Sequence, residues 1–423
     1  MSHFHVRDNV THCEDVPLPQ IAASVGTPVF VYSAEAMRSQ ARKLLAALAP
    51  LSDPLVAYAV KANPNGAVLR TLAAEGLGAD VVSGGEYIRA RAAGIAADKI
   101  VFSGVGKTEA EMKLALEGGL RQFNLESLPE AELLSEVAQA MGRVATVAFR
   151  INPDVEAGSH AKISTGAAHN KFGIPIDQAP SACARVAALP GLRLTGLAVH
   201  IGSQLTRLGP LEKAYRKLGA MIAELRSLGH DIQSADLGGG LGLHYDPSQP
   251  SPPTIQEYGA MVARVTDDWD VSLIFEPGRL IVGDAGALLT EVIRVKAGTA
   301  NPFVVLDAAM NDLIRPTLYD AWHGIDAVRP RVGQMIADVV GPVCETGDTF
   351  AVAREPPQVE AGDLMMIRTA GAYAATMAST YNSRPLAPEV LVDGDKWAVV
   401  RPRRTISEFL DEERLPDWLS PAD

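Results

Sequence analysis

The stretch DLGGGLG, Asp236–Gly242, decides between two folds that otherwise read alike along this 423-residue chain. Consecutive glycines let backbone N–H groups turn toward one point and cradle an anion, most often phosphate. Taken alone, the run is equally a tight turn between a strand and a helix. Its position is more telling, because an open doubly wound sheet carries its glycine-rich turn after the first strand. Here the glycines follow the seventh of eight apolar runs: LVAYAV at 55, ADVVS at 79, KIVFSG at 99, RQFNLES at 121, VATVAFRI at 144, RLTGLAVHI at 193, SADLGG at 234 and SLIFEPG at 272. Between them lie segments such as GPLEKAYRKLGAMIAELRSLG, with apolar positions three and four apart and a glycine to end them. Eight such units between residues 36 and 276 match a closed (β/α)8 (TIM) barrel, for which about 250 residues is typical.

The barrel is therefore expected over residues 34–277. Beyond Arg279 the texture changes to short strands with Gly, Asp and Pro turns, as in PFVVLDAAM, DVVGPVCETGDTFAVA and EVLVDGDKWAVV. These predict a mostly β domain over 278–423, a sandwich or barrel, which residues 1–33 rejoin through the strand GTPVFVYS. Composition is globular, with 47% hydrophobic and 21% charged residues. A formal net charge of -12 argues against nucleic acid as a partner. Cys13, Cys183 and Cys344 are widely spaced and nine histidines form no HExxH or HxxxH pair, so neither a disulfide framework nor a metal is expected. No apolar signal region opens the chain and no run of 18 apolar residues occurs in it, which points to a cytoplasmic protein away from membranes.

In a barrel of this kind the chemistry stands at the C-terminal ends of the strands. Those ends carry Lys61, Asp80 with Ser83, Arg150, His200 with Ser203, Gly238 to Gly240, and Glu276 with Arg279. A lysine in a partly desolvated pocket can lose its proton and form a Schiff base with a carbonyl. A glycine nest can hold a phosphate, and a carboxylate can keep a pyridinium nitrogen protonated. The set describes a site for pyridoxal 5'-phosphate, although Lys61 taken alone reads better as a rim residue carrying its charge to water.

The strings YAVKANPN, GADVVSGGEY, HIGSQ, DLGGGLG, EPGR, MNDLIRPTLYDAWH, DVVGPVCETGD and AGAYAATMASTYNSRP resemble the diaminopimelate decarboxylase family, within the fold-type III pyridoxal-phosphate group. The likeness runs in order from about residue 26 to 404. It implies an enzyme, a lyase that removes carbon dioxide from meso-2,6-diaminopimelate to give L-lysine in lysine biosynthesis. By resemblance Lys61 carries the cofactor, His200 stacks on its ring and Glu276 pairs with the ring nitrogen. Gly238, Gly239, Gly240, Ser203, Arg279 and Tyr373 surround the phosphate. Arg279, Arg315, Tyr319, Glu345 and Tyr373 hold the amino-acid substrate, and Cys344 donates the proton that replaces the lost carboxylate. A homodimer is implied, each site completed by the cysteine loop of the other subunit.

Some readings stay open at the level of sequence. Arg315 with Asp312 is compatible with a simple loop salt bridge, and Cys344 with a small buried hydrophobe, although its neighbours Glu345, Gly347 and Asp348 suit a reactive thiol better. Asn170, Lys171 and Gly173 fit a loop-anchoring role as well as a functional one. Ala309, Ala374, Ala198 and Val199 stand where the family more often has glycine or bulkier residues. The alternatives in function are a decarboxylase of arginine, ornithine or carboxynorspermidine, and a non-catalytic cofactor-binding regulator.

Overall fold

The computed structural model describes residues 3–156, 162, 165–166 and 170–419 and divides into two compact units. One unit comprises Ala34–Ala285 with Gly371–Thr376; the other takes in the chain up to Ser33, Gly286–Ala370 and the chain from Met377 onward.

In the first unit all eight predicted runs are strands: Leu55–Ala59, Gly78–Val81, Ile100–Phe102, Gln122–Leu125, Ala145–Asn152, Leu192–Ala198, Ser234–Asp236 and Ser272–Phe275. Each pairs in parallel with the next, and the eighth returns to the first with Ile274 beside Leu55, so the sheet closes into a barrel. Local signals set the helices between them. Thr108 and Glu111 form a capping box at the start of Glu109–Gly118, and Gly119 ends that helix with φ +71°. The longest helix, Leu208–Ser227, buries Leu211, Ala214, Tyr215, Leu218, Met221, Ile222 and Leu225, one apolar face at helical spacing.

The boundary at residue 277 is corrected: the barrel unit continues to Ala285 and takes back Gly371–Thr376. The reason is local packing. The short helix Arg279–Val282 is buried throughout, and Gln40 Nε2 donates to the Leu280 carbonyl at 3.3 Å. The later segment is bound by Gly371 N–H to Gly283 O and by Tyr373 N–H to Ala62 O.

The second unit is built on a nine-stranded sheet. Strand Val29–Ser33, from GTPVFVYS, runs antiparallel to Gly286–Lys296 and parallel to Glu389–Asp393, with Phe30 against Leu288 and Val31 against Val390. Leu18, Ile21, Val29, Val31, Leu289, Met366 and Val390 form its core, and Cys13 packs there as a small apolar residue. Ahead of Val29 this mostly β unit also holds a helix, Leu18–Val25. No helix among the described residues is long and apolar enough to cross a membrane.

Lys107, in the loop after the third strand, has a fully buried side chain. Its ammonium donates to Gly104 O at 2.8 Å, Asn124 O at 2.7 Å and Glu130 Oε1 at 2.7 Å. Breaking such a pair by removing one partner leaves a buried charge uncompensated, at a cost of about 3–5 kcal/mol. Lys107→Met is expected to lower the thermal melting temperature clearly, and Lys107→Met with Glu130→Met to recover part of the loss.

Candidate active site

Lys61, His200, Ser203, Gly238, Gly239, Gly240, Glu276, Arg279 and Tyr373 line one pocket of about 550 Å³ in the barrel unit. All but Tyr373 stand at or just beyond the C-terminal end of a barrel strand. Lys61 lies in the one-turn 3-10 helix Val60–Ala62 that follows the first strand. Tyr373 arrives from outside the eight units, held at φ +54° by its N–H bond to the Ala62 carbonyl.

The three glycines are required by close approach. A Cβ on Gly239 would stand 2.2 Å from the Glu276 carbonyl oxygen, and one on Gly240 2.4 Å from the Gly202 oxygen. The turn is laced to the loop after the sixth strand: Leu205 N–H donates to Gly240 O at 2.8 Å and Gly242 N–H to Leu205 O at 2.9 Å. Arg279 is buried and donates to Ser203 Oγ at 3.2 Å and Tyr245 Oη at 2.9 Å. Its guanidinium lies 4.7 Å from the Tyr373 ring centroid, a cation–π distance.

Glu276 is held from inside the barrel. Ser103 Oγ donates to its Oε1 at 3.0 Å, and Asn124 Nδ2 reaches the same oxygen at 3.3 Å while donating to Asp236 Oδ2 at 2.8 Å. The fourth and seventh strands are not neighbours in the sheet, so the Asn124–Asp236 bond crosses the barrel interior. Burial, then the adjacent carboxylates Asp236 and Asp80, push the Glu276 carboxyl well above its ordinary range. Burial likewise raises Asp236.

His200 accepts the Gly239 N–H at Nδ1, 3.1 Å away, which puts the ring proton on Nε2. Burial, with the positive charges of Arg150 and Lys61, lowers its pKa well below the usual value, so the imidazole is neutral. Arg150 itself is structural, paired with Glu126 at 2.8 Å.

Lys61 departs from expectation. Burial does favour the neutral amine, but Asp80 forms an ion pair with Lys61 Nζ, and Asp80 and Glu276 together override burial, so the ammonium is strengthened. The apolar strand alone does not make the amine a nucleophile in this arrangement. Its side chain is 35% exposed while that of Asp80 is fully buried, so the amine faces the pocket from a fixed anionic base.

These residues fit pyridoxal 5'-phosphate on the chemistry of the donors. They offer a primary amine for an aldehyde and a neutral flat imidazole for an aromatic ring. Glu276 supplies a buried carboxyl for a ring nitrogen, and Gly240, Ser203 and Arg279 supply donors for a phosphate. Among the described residues the Gly240 N–H has no protein partner, and the buried Asp80 Oδ1 accepts no hydrogen bond.

Arg315, Tyr319, Cys344 and Glu345 are not among the pocket's lining residues and belong to the sheet unit, where they form a second group. Arg315 and Tyr319 bound a five-residue helix, and Thr317 on that helix donates to Gly347 O at 2.6 Å, tying it to the loop of Cys344 and Glu345. Asp348 anchors the loop by accepting Val343 N–H at 2.7 Å and Met310 N–H at 2.6 Å. Cys344 is an exposed free thiol, unlike buried Cys13 and Cys183. Asp312 accepts the Ala309 N–H at 3.0 Å and Arg315 meets His323 at 2.8 Å. Gly173 is anchored by its N–H to Glu126 Oε2 at 2.7 Å. Ala198, Val199, Ala309 and Ala374 are all buried packing residues. Sequence reasoning missed Ser103, Asn124 and Asp236, whose signal was a polar residue set inside an otherwise apolar strand run.

Comparison with known proteins agrees with this geometry. Residues 35–283 match the family model described as pyridoxal-dependent decarboxylase, pyridoxal binding domain. The chain is 53% identical to the diaminopimelate decarboxylase of Zymomonas mobilis, across 99% of this chain and 100% of that one. It is 46% identical to that of Neisseria meningitidis, across 95% and 98%. Among solved structures, diaminopimelate decarboxylase from M. jannaschii in complex with L-lysine is similar at TM-score 0.94 and 34% identity, covering 99% of both chains. The chain belongs to the diaminopimelate decarboxylase family of pyridoxal-dependent decarboxylases.

Proposed function

We infer that the chain removes carbon dioxide from meso-2,6-diaminopimelate to give L-lysine, with pyridoxal 5'-phosphate as cofactor. The observation that carries this reading is the single pocket in which a lysine amine, a raised buried carboxyl and a glycine cradle converge, in a chain of this family. When bound, the cofactor supplies an electron sink for the pair released as the carboxylate leaves.

The protein's own residues do the rest. Lys61 is the amine that holds the cofactor, and Asp80 receives its positive charge whenever the amine is protonated. Ser203, Arg279 and the turn Gly238–Gly240 bind the phosphate, and the Tyr373 ring lies within cation–π distance of the Arg279 guanidinium. His200, neutral and fixed by Gly239, offers an aromatic face without adding charge. Glu276 holds or shares a proton at the ring nitrogen, its position set by Ser103 and Asn124.

On the sheet unit, Arg315 serves as the bidentate partner of the substrate's far carboxylate and Glu345 of its far ammonium, with Tyr319 beside them. Substrates without a far carboxylate would place an ammonium near Arg315, which disfavours ornithine. Cys344 delivers a proton to the α-carbon as general acid. Its exposure supports a homodimer in which this loop completes the site of the second copy.

Three measurements test this reading. Incubation of the cofactor-loaded protein with meso-diaminopimelate is expected to release carbon dioxide and L-lysine in equal amounts; activity on ornithine with none on meso-diaminopimelate overturns it. Lys61→Ala and Cys344→Ala are each expected to be inactive, whereas an equal mixture that exchanges subunits regains about a quarter of the active sites of a symmetric dimer. In cofactor-free protein, Asp80→Asn is expected to move the midpoint for labelling of Lys61 by an amine reagent to lower pH. Burial, which lowers the lysine pKa, is then no longer opposed by Asp80.

A further inference from the structure

We propose that His323 is a positioning residue for Arg315, fixing the plane of its guanidinium for a carboxylate; this rests on the reading of Arg315 as the far-carboxylate partner. Arg315 Nη1 lies 2.8 Å from His323 Nε2, and His323 Nδ1 lies 2.8 Å from the Arg368 carbonyl oxygen. A guanidinium has only donors and a carbonyl only accepts, so the two partners together fix the ring. Nε2 must carry the lone pair and Nδ1 the proton. The imidazole is therefore a neutral wedge between a cation and a carbonyl, with one tautomer and one ring orientation.

The wedge is itself held on every side. His323 is 1% exposed and Arg315 5%, so neither contact competes with bulk water. The His323 carbonyl accepts Arg354 Nη1 at 3.2 Å, and the Arg354 guanidinium lies 4.0 Å from the neighbouring Trp322 ring centroid. Arg368 pairs through Nε with Asp326, and its N–H donates to the Gly324 carbonyl at 2.8 Å. Directly after, Ile325–Ala327 pairs antiparallel with Leu364–Ile367. The ring thus stands at the root of a sheet strand rather than on an unsupported loop.

Such support matters because bidentate pairing depends on the orientation of the guanidinium plane and a point-charge interaction does not. A guanidinium held at one nitrogen by a fixed acceptor has lost its freedom to swing before any carboxylate arrives, which lowers the entropic cost of the pairing. His323 is accordingly expected to act on affinity for the far carboxylate more than on the reacting end.

The test uses cofactor-loaded full-length enzyme with His323→Phe, His323→Gln, Arg315→Ala and the double variant Arg315→Ala/His323→Phe. His323→Phe is expected to raise KM for meso-diaminopimelate about tenfold, the scale of a hydrogen bond to a charged group, with kcat changed less than about threefold. His323→Gln, whose amide oxygen can replace Nε2, recovers most of the loss. Product inhibition separates positioning from a general structural effect. L-Lysine keeps the far carboxylate and 1,5-diaminopentane lacks it, so His323→Phe weakens the first inhibitor and leaves the second unchanged. In the double variant the histidine change adds nothing further.

An unchanged KM in His323→Phe beside a raised KM in Arg315→Ala overturns the positioning role and keeps the arginine reading. Equal weakening of both inhibitors, or full additivity in the double variant, also overturns it. An unchanged KM in Arg315→Ala overturns the arginine reading and this inference with it. Should His323→Phe fail to fold, His323→Asn carries the same comparison, since its shorter amide cannot span both Arg315 and the Arg368 carbonyl.

Discussion

The barrel unit is organised around the burial of Glu276. A carboxyl 8% exposed at the end of the eighth strand must be hydrogen-bonded or neutral, because an unpaired buried charge costs several kcal/mol. The bonds come from inside the barrel, where closed barrels of this class normally stack bulky branched residues. Here Ser103, Asn124 and Asp236 occupy that space, and Gln122 and Ser234 extend the network with bonds of 2.8 Å and 3.1 Å. One consequence is electrostatic. Asp80 pairs with the Lys61 ammonium and Glu276 also acts on it, while Asp236 adjoins Glu276. The two that lack direct pairing with the ammonium, Glu276 and Asp236, are the two driven upward. A further positive charge beside Glu276 would favour its charged form, and a protonated ring nitrogen is the chemistry that provides one.

That balance also explains why Lys61 could be found in the sequence but not its ionisation. The position followed from strand order: VAYAV ends the first of eight strands, and strand ends face the functional mouth. The protonation followed from Asp80, which lies in GADVV on the next strand and meets Lys61 only once the two strands pair, Ala59 beside Asp80. Period and composition report which way a side chain points; they carry no information on which charge will face it across a sheet.

The same distinction separates the legible from the illegible elsewhere. All eight barrel strands were readable because each is a short apolar run bounded by turn residues, and the glycine turn was readable because close approach to Glu276 and Gly202 excludes any Cβ. The domain boundary was misplaced because EPGR looks like an end: Pro277 and Gly278 break the strand, yet the buried helix after them still belongs to the barrel. Ser103, Asn124 and Asp236 went unrecognised because a single polar residue in an apolar run has two readings, edge or interior network. Only their mutual bonds, formed between strands far apart in sequence, decide for the interior.

Under the proposed function the two groups of residues would divide the chemical task by the precision it needs. Holding a cofactor at several points demands fixed geometry, and the barrel supplies it through glycines with no room for a Cβ and through hydrogen bonds that cross its interior. Choosing a substrate by its far end demands a charge pattern, and under the proposed function the sheet unit would supply it from a short helix and a loop joined by Thr317 and anchored by Asp348. The first residue of a five-residue helix is a poor place for a bidentate contact unless something removes its freedom. His323 does so for Arg315 by standing on a strand root, so the arginine gains the rigidity of the sheet without belonging to a strand.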